Sequence, residues 1–192
     1  MDAFESLIAS LLEREGFWIR TSVKVELTKT EKKVIGRHSS PRWEIDLVAY
    51  KGSTNELWIV ECKSYFDSAG VNISAFNGRN PAFGNRFKLF NEKKLFSVVK
   101  NRLCAQLLKT GNIRPNPNVK LALAAGHIID KHRNAITGLF RKKGWVLMDE
   151  NYIKQRIYFL TNESYENSVA SIVAKIILRP MEKANDRFAR GR

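Results

Sequence analysis

Cysteine, acidic residues and long apolar runs are all scarce in this chain of 192 residues. Its two cysteines, Cys62 and Cys104, lie far apart and lack the paired spacing of a zinc site or a disulfide framework. This pattern favours a reduced, cytoplasmic setting. No segment has the run of about 20 apolar residues that spans a bilayer, and the first residues lack the basic region of a secretory signal. The sequence therefore excludes a disulfide-stapled or membrane-spanning class.

The shortage of acids leaves a strong positive charge. Lys and Arg total 33 against 19 Asp and Glu, which gives a formal net charge of +14. A charge this large repels itself in the folded chain unless a polyanion is bound, so it predicts a nucleic acid as partner. An anionic membrane surface, or a basic surface that is merely solvated, is the alternative at this point.

The spacing of apolar residues predicts an alternation of helices and strands. In chain order we expect a helix at 2–15, a strand at 17–27, a polar loop at 28–41, strands at 42–50 and 56–64, an irregular stretch at 65–89, a helix at 91–109, a strand at 119–129, a helix at 130–143, a short strand at 145–148, and one or two helices at 150–178. The two strands joined by Gly52 form an antiparallel hairpin in this prediction. The order predicts an α/β fold, a mixed central β-sheet flanked by helices.

The length fits one well-buried domain and is short for two. We therefore predict a single domain over residues 1–180, with a core at about 1–149 and terminal helices at about 150–178. The basic segment 179–192 is predicted to be a flexible tail.

Three charged residues stand at the ends of the two hairpin strands. The apolar run Leu57–Val60 leads into Glu61 and Lys63, which share a face because side chains alternate along a strand. Asp46 interrupts the apolar pattern of the preceding strand, and hairpin pairing can bring it within about 5 Å of Glu61. Two carboxylates that close repel each other unless a cation lies between them. A hard divalent ion with oxygen ligands, such as Mg²⁺, satisfies this requirement and also suits phosphodiester hydrolysis.

Asp46 followed by Glu61-Cys62-Lys63 on the next strand resembles the PD-(D/E)xK nuclease superfamily, which includes many restriction endonucleases and archaeal-type Holliday junction resolvases. The resemblance covers roughly residues 1–130 and includes the order αβββαβ. It implies a restriction endonuclease-like fold, with Asp46 and Glu61 as metal ligands, the Cys62 carbonyl as a further ligand and Lys63 as the catalytic lysine. Glu5 on the first helix matches a metal-binding or water-ordering glutamate of related nucleases. The proline of the literal motif is missing before Asp46.

The motif has competing interpretations. Glu-x-Lys also occurs at Glu31 and Glu92, but only Glu61 ends an apolar strand that follows a strand bearing an aspartate. A structural salt bridge between Glu61 and Lys63 is the alternative to catalysis. For Glu5, the alternative is an acid favoured by the dipole at the start of a helix.

Other polar and basic residues are predicted to serve the same site. On the helix at 91–109, Arg102 and Gln106 lie four residues apart and share a face, and the resemblance implies Gln106 as an additional catalytic residue. Basic and aromatic residues in the stretch 65–89, Phe66 among them, suit phosphate contact and base stacking, although the aromatics could instead anchor the loop to the core. The predicted nucleic-acid contacts are Arg79, Arg86, Lys88, Lys32, Lys33, Arg37 and Arg102.

These features together predict a Mg²⁺-dependent endonuclease acting on DNA, of a restriction-like, defence or repair type, with Mn²⁺ as an alternative ion. Duplex cleavage usually needs two active sites, which favours a homodimer. A non-catalytic nucleic-acid-binding domain with the same fold is the main alternative, and a membrane-surface binder is a third, favoured by net charge alone.

Overall fold

The computed structural model describes residues 2–39, 42–78, 80–164 and 166–178. The described residues form two compact units, divided after Glu150. The helices and strands are α1 (Ala3–Arg14), β1 (Trp18–Glu26), α2 (Lys29–Val34), β2 (Arg42–Lys51), β3 (Glu56–Lys63), α3 (Pro81–Gly84), α4 (Lys88–Asn91), α5 (Lys93–Lys109), β4 (Asn118–Ala125), α6 (Asp130–Lys143), β5 (Val146–Met148), α7 (Glu150–Phe159) and α8 (Val169–Leu178).

A five-stranded sheet in the order β1-β2-β3-β4-β5 forms the centre of the first unit. The pairs β1–β2 and β2–β3 are antiparallel, whereas β3–β4 and β4–β5 are parallel. Helices connect the parallel strands, as parallel pairing requires. The predicted α/β class, with a mixed sheet flanked by helices, is confirmed.

The sheet buries both of its faces. On one face, Val48 and Ile59 belong to a large apolar cluster with the α5 residues Leu95 and Val99, all at most 1% exposed. Their strand neighbours point to the other face, where α1 contacts β1, β2 and β3. This two-sided burial explains why the strands are apolar runs rather than strict alternations.

The first helix begins with a capping box. The Asp2 side chain accepts a hydrogen bond from the Glu5 amide (2.8 Å), and the Glu5 carboxylate accepts one from the Asp2 amide (3.2 Å). These bonds satisfy backbone donors that have no partner within the helix. Gly16, with φ of +83°, follows the C-terminus in the left-handed region. The prediction of a helix at 2–15 is confirmed, and the cap fixes Glu5 at its start.

Two sequence-based boundaries are wrong. The segment 28–41, predicted as a loop, contains α2, which begins with a second capping box between Thr28 and Glu31. The strand predicted at 119–129 ends at Ala125, because the next residue, Gly126, packs directly against the chain that follows β3. In the irregular stretch 65–89, the described residues form a 3-10 turn, short helices and an isolated parallel bridge between Val71 and Ile128.

The second unit contains most of α7 and all of α8. The Lys175 ammonium donates hydrogen bonds to the carbonyls of Thr161 (3.3 Å) and Glu163 (2.6 Å) within this unit. The small residues Ser171 and Ala174 are the buried ones in α8, while larger aliphatic residues are exposed. In the described parts of the chain, every helix is too short or too polar to cross a membrane. The predicted tail at 179–192 lies outside the described residues.

Candidate active site

The sheet opens into a fork between β2 and β3. Their ladder runs from Lys51 and Glu56 to Leu47 and Val60 and stops there. Beyond this point β2 continues in register with β1 only, and β3 continues with β4 only, as far as Lys63. Asp46 is the first residue of one arm and Glu61 the first residue of the other. The two predicted carboxylates therefore lie on opposite arms at the opening of the fork, close enough for the charge of Asp46 to raise the pKa of Glu61.

At the end of the β2–β3 ladder, the Asp46 carboxylate, rather than a backbone carbonyl of β2, accepts a hydrogen bond from β3. Its Oδ2 accepts a hydrogen bond from the Cys62 amide at 2.7 Å. In the β1–β2 ladder, the pairs on either side of Asp46 are formed, but Asp46 and the residue opposite it, Ser22, are not paired. Ser22 has a φ of +49°. A positive φ is uncommon outside glycine and marks a local distortion. The backbone of β1 is thus distorted opposite Asp46, and on the β3 side the hydrogen bond to the Cys62 amide holds the carboxylate at the base of the fork.

Glu61 and Lys63 form an ion pair on the other arm. Lys63 Nζ lies 2.6 Å from Glu61 Oε1, and the two side chains are only 21% and 20% exposed. Burial raises the pKa of the Glu61 carboxyl; the Lys63 ammonium opposes this shift, and the Asp46 and Glu5 carboxylates add to it. Burial alone would lower the pKa of Lys63, but the Glu61 carboxylate, with a further contribution from Asp46, raises it above its usual value. Lys63 therefore stays charged.

Glu5 is the third carboxylate of the group. Burial raises the pKa of its carboxyl, and the charge of Asp46 raises it further. Glu5 also contributes to the raised pKa of Glu61. The structure thus brings together three carboxylates from α1, β2 and β3 with one ammonium group. The helix-dipole interpretation of Glu5 also holds, because the same residue completes the capping box.

The donor chemistry of the fork suits a hard divalent cation. Carboxylate and carbonyl oxygens are the ligands that Mg²⁺ prefers, and the excess negative charge at this point is what a cation would offset. The Cys62 thiol is excluded as a ligand because burial, with the nearby carboxylates, raises its pKa and keeps it protonated. Within the described ranges, no group of three His, Cys, Asp or Glu side chains is placed to hold a metal ion. The residues fit a site formed by two carboxylates and water.

Gln106 lies on α5. It lines a groove of about 350 Å³ between β1 and α5 that also borders Ser22, the residue opposite Asp46. Its Oε1 is buried and accepts no hydrogen bond in the structure. A catalytic role for Gln106 stays a prediction.

Two of the predicted nucleic-acid contacts bind carboxylates within the chain. Arg102 donates from Nε (3.0 Å) and Nη2 (2.9 Å) to the Glu31 carboxylate. Arg37 pairs with Glu92 at 2.7 Å and lies over the Trp43 ring. These arginines hold α2 and the following loop against the start and middle of α5, and a role in nucleic-acid binding stays a prediction for both.

The other basic residues differ in their exposure. Lys33 and Arg86 are exposed, whereas Lys32 and Lys88 are half-buried. Arg79 lies outside the described residues. These side chains come from α2 and from the segment around α3 and α4, so the structure does not gather them into one element.

The sequence predicted a stacking role for the aromatic residues of 65–89 as a group, but it did not single out the two that directly follow the fork. Tyr65 has φ of +49° and adds to the raised pKa of Lys63, two residues earlier. Phe66 is 66% exposed although it is a large apolar side chain. Their position directly after Glu61-Cys62-Lys63 was the available signal. A separate charged cluster, in which Arg133 pairs with Asp149 and Glu150, joins α6 to the end of β5.

Comparisons of the chain with protein-family models, with curated proteins and with solved structures find no match. The case for a function therefore depends on the geometry and charge of the fork.

Proposed function

We propose that this chain is a metal-dependent endonuclease that hydrolyses DNA phosphodiester bonds, with a restriction endonuclease-like core. The observation that carries the proposal is the fork, which has Asp46 on one arm and the Glu61–Lys63 pair on the other, with Glu5 beside them. A purely structural salt bridge would need only Glu61 and Lys63. Asp46 and Glu5 lie close enough for their charges to oppose the ionisation of Glu61, a clustering of like charges that is typical of functional sites.

Each residue of the fork has a distinct role in this proposal. Asp46 and Glu61, with the Cys62 carbonyl as a further ligand, would hold Mg²⁺ or Mn²⁺, and Glu5 would order water beside the ion. The bound ion supplies a Lewis acid that neutralises phosphate charge and lowers the pKa of water. Lys63 remains protonated and donates hydrogen bonds to the attacking water or to the phosphate oxygen on which negative charge develops. Glu61 orients Lys63 through their 2.6 Å contact.

DNA is proposed as the substrate because the chain carries a net charge of +14, which favours contact with a polyanion. The same geometry fits a restriction-like, defence or repair nuclease, acting in the cytoplasm. A homodimer would place two such sites on the two strands of a duplex.

Cleavage of supercoiled plasmid and branched DNA, with Mg²⁺ or with a chelator, tests the proposal. Asp46→Asn combined with Glu61→Gln should abolish Mg²⁺-dependent cleavage while leaving the protein folded, since both replacements keep the shape of the side chain. Glu44→Gln is the matched control, because Glu44 is an exposed acid two residues from Asp46 on the same strand. If the double variant cuts as well as the wild type, the proposal fails.

One observation favours a second function, a non-catalytic nucleic-acid-binding domain. The Lys63 ammonium already bonds to Glu61, and the described residues offer no ready three-ligand metal group. This alternative predicts salt-sensitive DNA binding without a calorimetric Mg²⁺ site. The nuclease proposal predicts Mg²⁺ binding that Asp46→Asn weakens and Glu44→Gln does not.

A further inference from the structure

Phe66 is an exposed aromatic side chain three residues after Lys63. Its side chain is 66% exposed, although burying an aromatic ring is strongly favourable. Single exposed apolar residues are common on protein surfaces, so exposure alone assigns no role. The position of this ring and the contacts that hold it there supply further evidence.

The Phe66 ring is held in place by Phe4 and Gly126, which together form its seat. It packs edge-on against Phe4, with ring centroids 5.6 Å apart and an interplanar angle of 87°. On another side it lies against Gly126, where an added Cβ would come within 2.7 Å of the ring and 2.2 Å of the Ser64 carbonyl oxygen. Only glycine leaves room for the ring at this place. The seat therefore fixes the ring while leaving most of it open to solvent.

The seat is connected to the fork. The Gly126 amide donates to the Lys63 carbonyl at 2.9 Å, and Phe4 directly precedes Glu5 in α1. Further along, the Val71 amide donates to the His127 carbonyl at 3.0 Å, so the segment between Lys63 and Val71 is held to the chain after β4 at both ends. The ring is therefore held in a defined position beside two residues of the fork.

The chemistry of the ring selects a nucleobase rather than a phosphate. The next residue, Asp67, is an exposed acid, which disfavours a phosphate at this point. An aromatic face stacks on nucleobases of any sequence. Bases inside a duplex already stack on their neighbours, so a ring fixed at this place gains a partner only where a nucleotide is unpaired.

Building on the proposed function, we infer that Phe66 is a stacking platform for an unpaired nucleobase next to the scissile phosphodiester. The substrate class that follows is DNA with single-stranded or branched regions, in preference to a continuous duplex.

Binding without cleavage provides the test. An oligonucleotide carrying 2-aminopurine, either single-stranded or in a duplex, is titrated in the presence of a chelator into the full chain bearing Asp46→Asn. Added Phe66→Ala should weaken binding of the single strand by about 5- to 150-fold, the usual contribution of one stacked base, and should reduce the fluorescence quenching. Binding of the duplex should change little. Phe159→Ala is the control, because it removes a similarly exposed phenylalanine (55%) from the second unit.

A second variant separates stacking from folding. Phe66→Leu keeps an apolar contact with Phe4 and Gly126 but removes the aromatic face, so it should retain the melting temperature and lose the quenching. Equal weakening for single strand and duplex would overturn the inference, as would unchanged affinity for both. A loss of self-association in place of DNA affinity would show that the ring contacts protein, and would also overturn it. Selective loss of single-strand binding in a chain that cuts no DNA would support the stacking platform while the nuclease proposal fails.

Discussion

Replacing Lys63 with methionine removes the ammonium group at the fork and keeps most of the apolar stem. In the wild type, Lys63 Nζ lies 2.6 Å from Glu61 Oε1. Without it, the Glu61 carboxylate faces the charges of Asp46 and Glu5, which already raise its pKa. We expect Lys63→Met to lower the free energy of unfolding of the metal-free protein, because it leaves a largely buried charge without its partner.

The magnitude follows from the burial of the pair. Removing one partner of a fully buried ion pair costs about 3–5 kcal/mol, whereas exposed pairs contribute about 0–1 kcal/mol. Because each side chain is about one-fifth exposed, we expect a loss of about 2–3 kcal/mol. Adding Glu61→Gln to Lys63→Met should return the stability to within about 1 kcal/mol of the wild type, since no unpaired charge remains.

Urea unfolding followed by circular dichroism at pH 7, with a chelator present, measures these differences. Lys120→Met is the control: Lys120, on β4, pairs with Glu56 at the other end of β3. After the substitution Glu56 still accepts a hydrogen bond from Trp58 Nε1 at 2.8 Å, and its pKa is lowered, whereas that of Glu61 is raised. That variant should lose less than about 1 kcal/mol. The reasoning is refuted if Lys63→Met costs no more than the control, or if the double variant is as unstable as the single one.

Two further predictions concern the surroundings of the fork. The pKa of Glu31 is lowered: burial opposes the shift, but hydrogen bonds from Arg102 and Thr28 outweigh it. The stability that the Arg102–Glu31 pair contributes is therefore complete above the ordinary pKa of 4.5 and is lost as the pH falls through the lowered value. The free energies of unfolding of the wild type and of Arg102→Gln should accordingly converge by about 1 kcal/mol between pH 6 and pH 3, as measured by thermal unfolding. A constant difference would contradict this. Gly126→Ala should cost about 3 kcal/mol because its Cβ would overlap the Ser64 carbonyl oxygen, whereas Gly138→Ala, in open space on α6, should be neutral or stabilising in the same denaturation assay.

Periodic elements of the fold could be predicted from the sequence. Helix α6 has the predicted limits, Asp130–Lys143, and the antiparallel hairpin of β2 and β3 is confirmed. The missed helix α2 has no buried residue, so apolar periodicity gave no signal. The pair Thr28 and Glu31, three residues apart, was the available signal for its start.

The residues of the candidate site could be predicted from the sequence, but the end of the β2–β3 ladder and the ion pairs around the site could not. Hairpin pairing placed Asp46 opposite Glu61, because register follows from the short turn between the strands. The end of the ladder at Leu47 and Val60 depends on a side chain accepting a backbone amide, which no local pattern encodes. Similarly, the pairing of Arg102 with Glu31 joins residues 71 positions apart, and only tertiary packing brings them together.

The fork has a mechanical consequence. Asp46 moves with β1 and β2, whereas Glu61 and Lys63 move with β3 and β4. Two residues inside a continuous ladder would be kept at a separation of about 5 Å, whereas across the fork the first residues of the arms are tied by the Asp46–Cys62 side-chain hydrogen bond. A small twist of one half of the sheet against the other can therefore adjust the gap between the carboxylates without breaking a ladder bond. In the proposed metal site, this freedom would let the same pair of side chains accommodate cations of different radius.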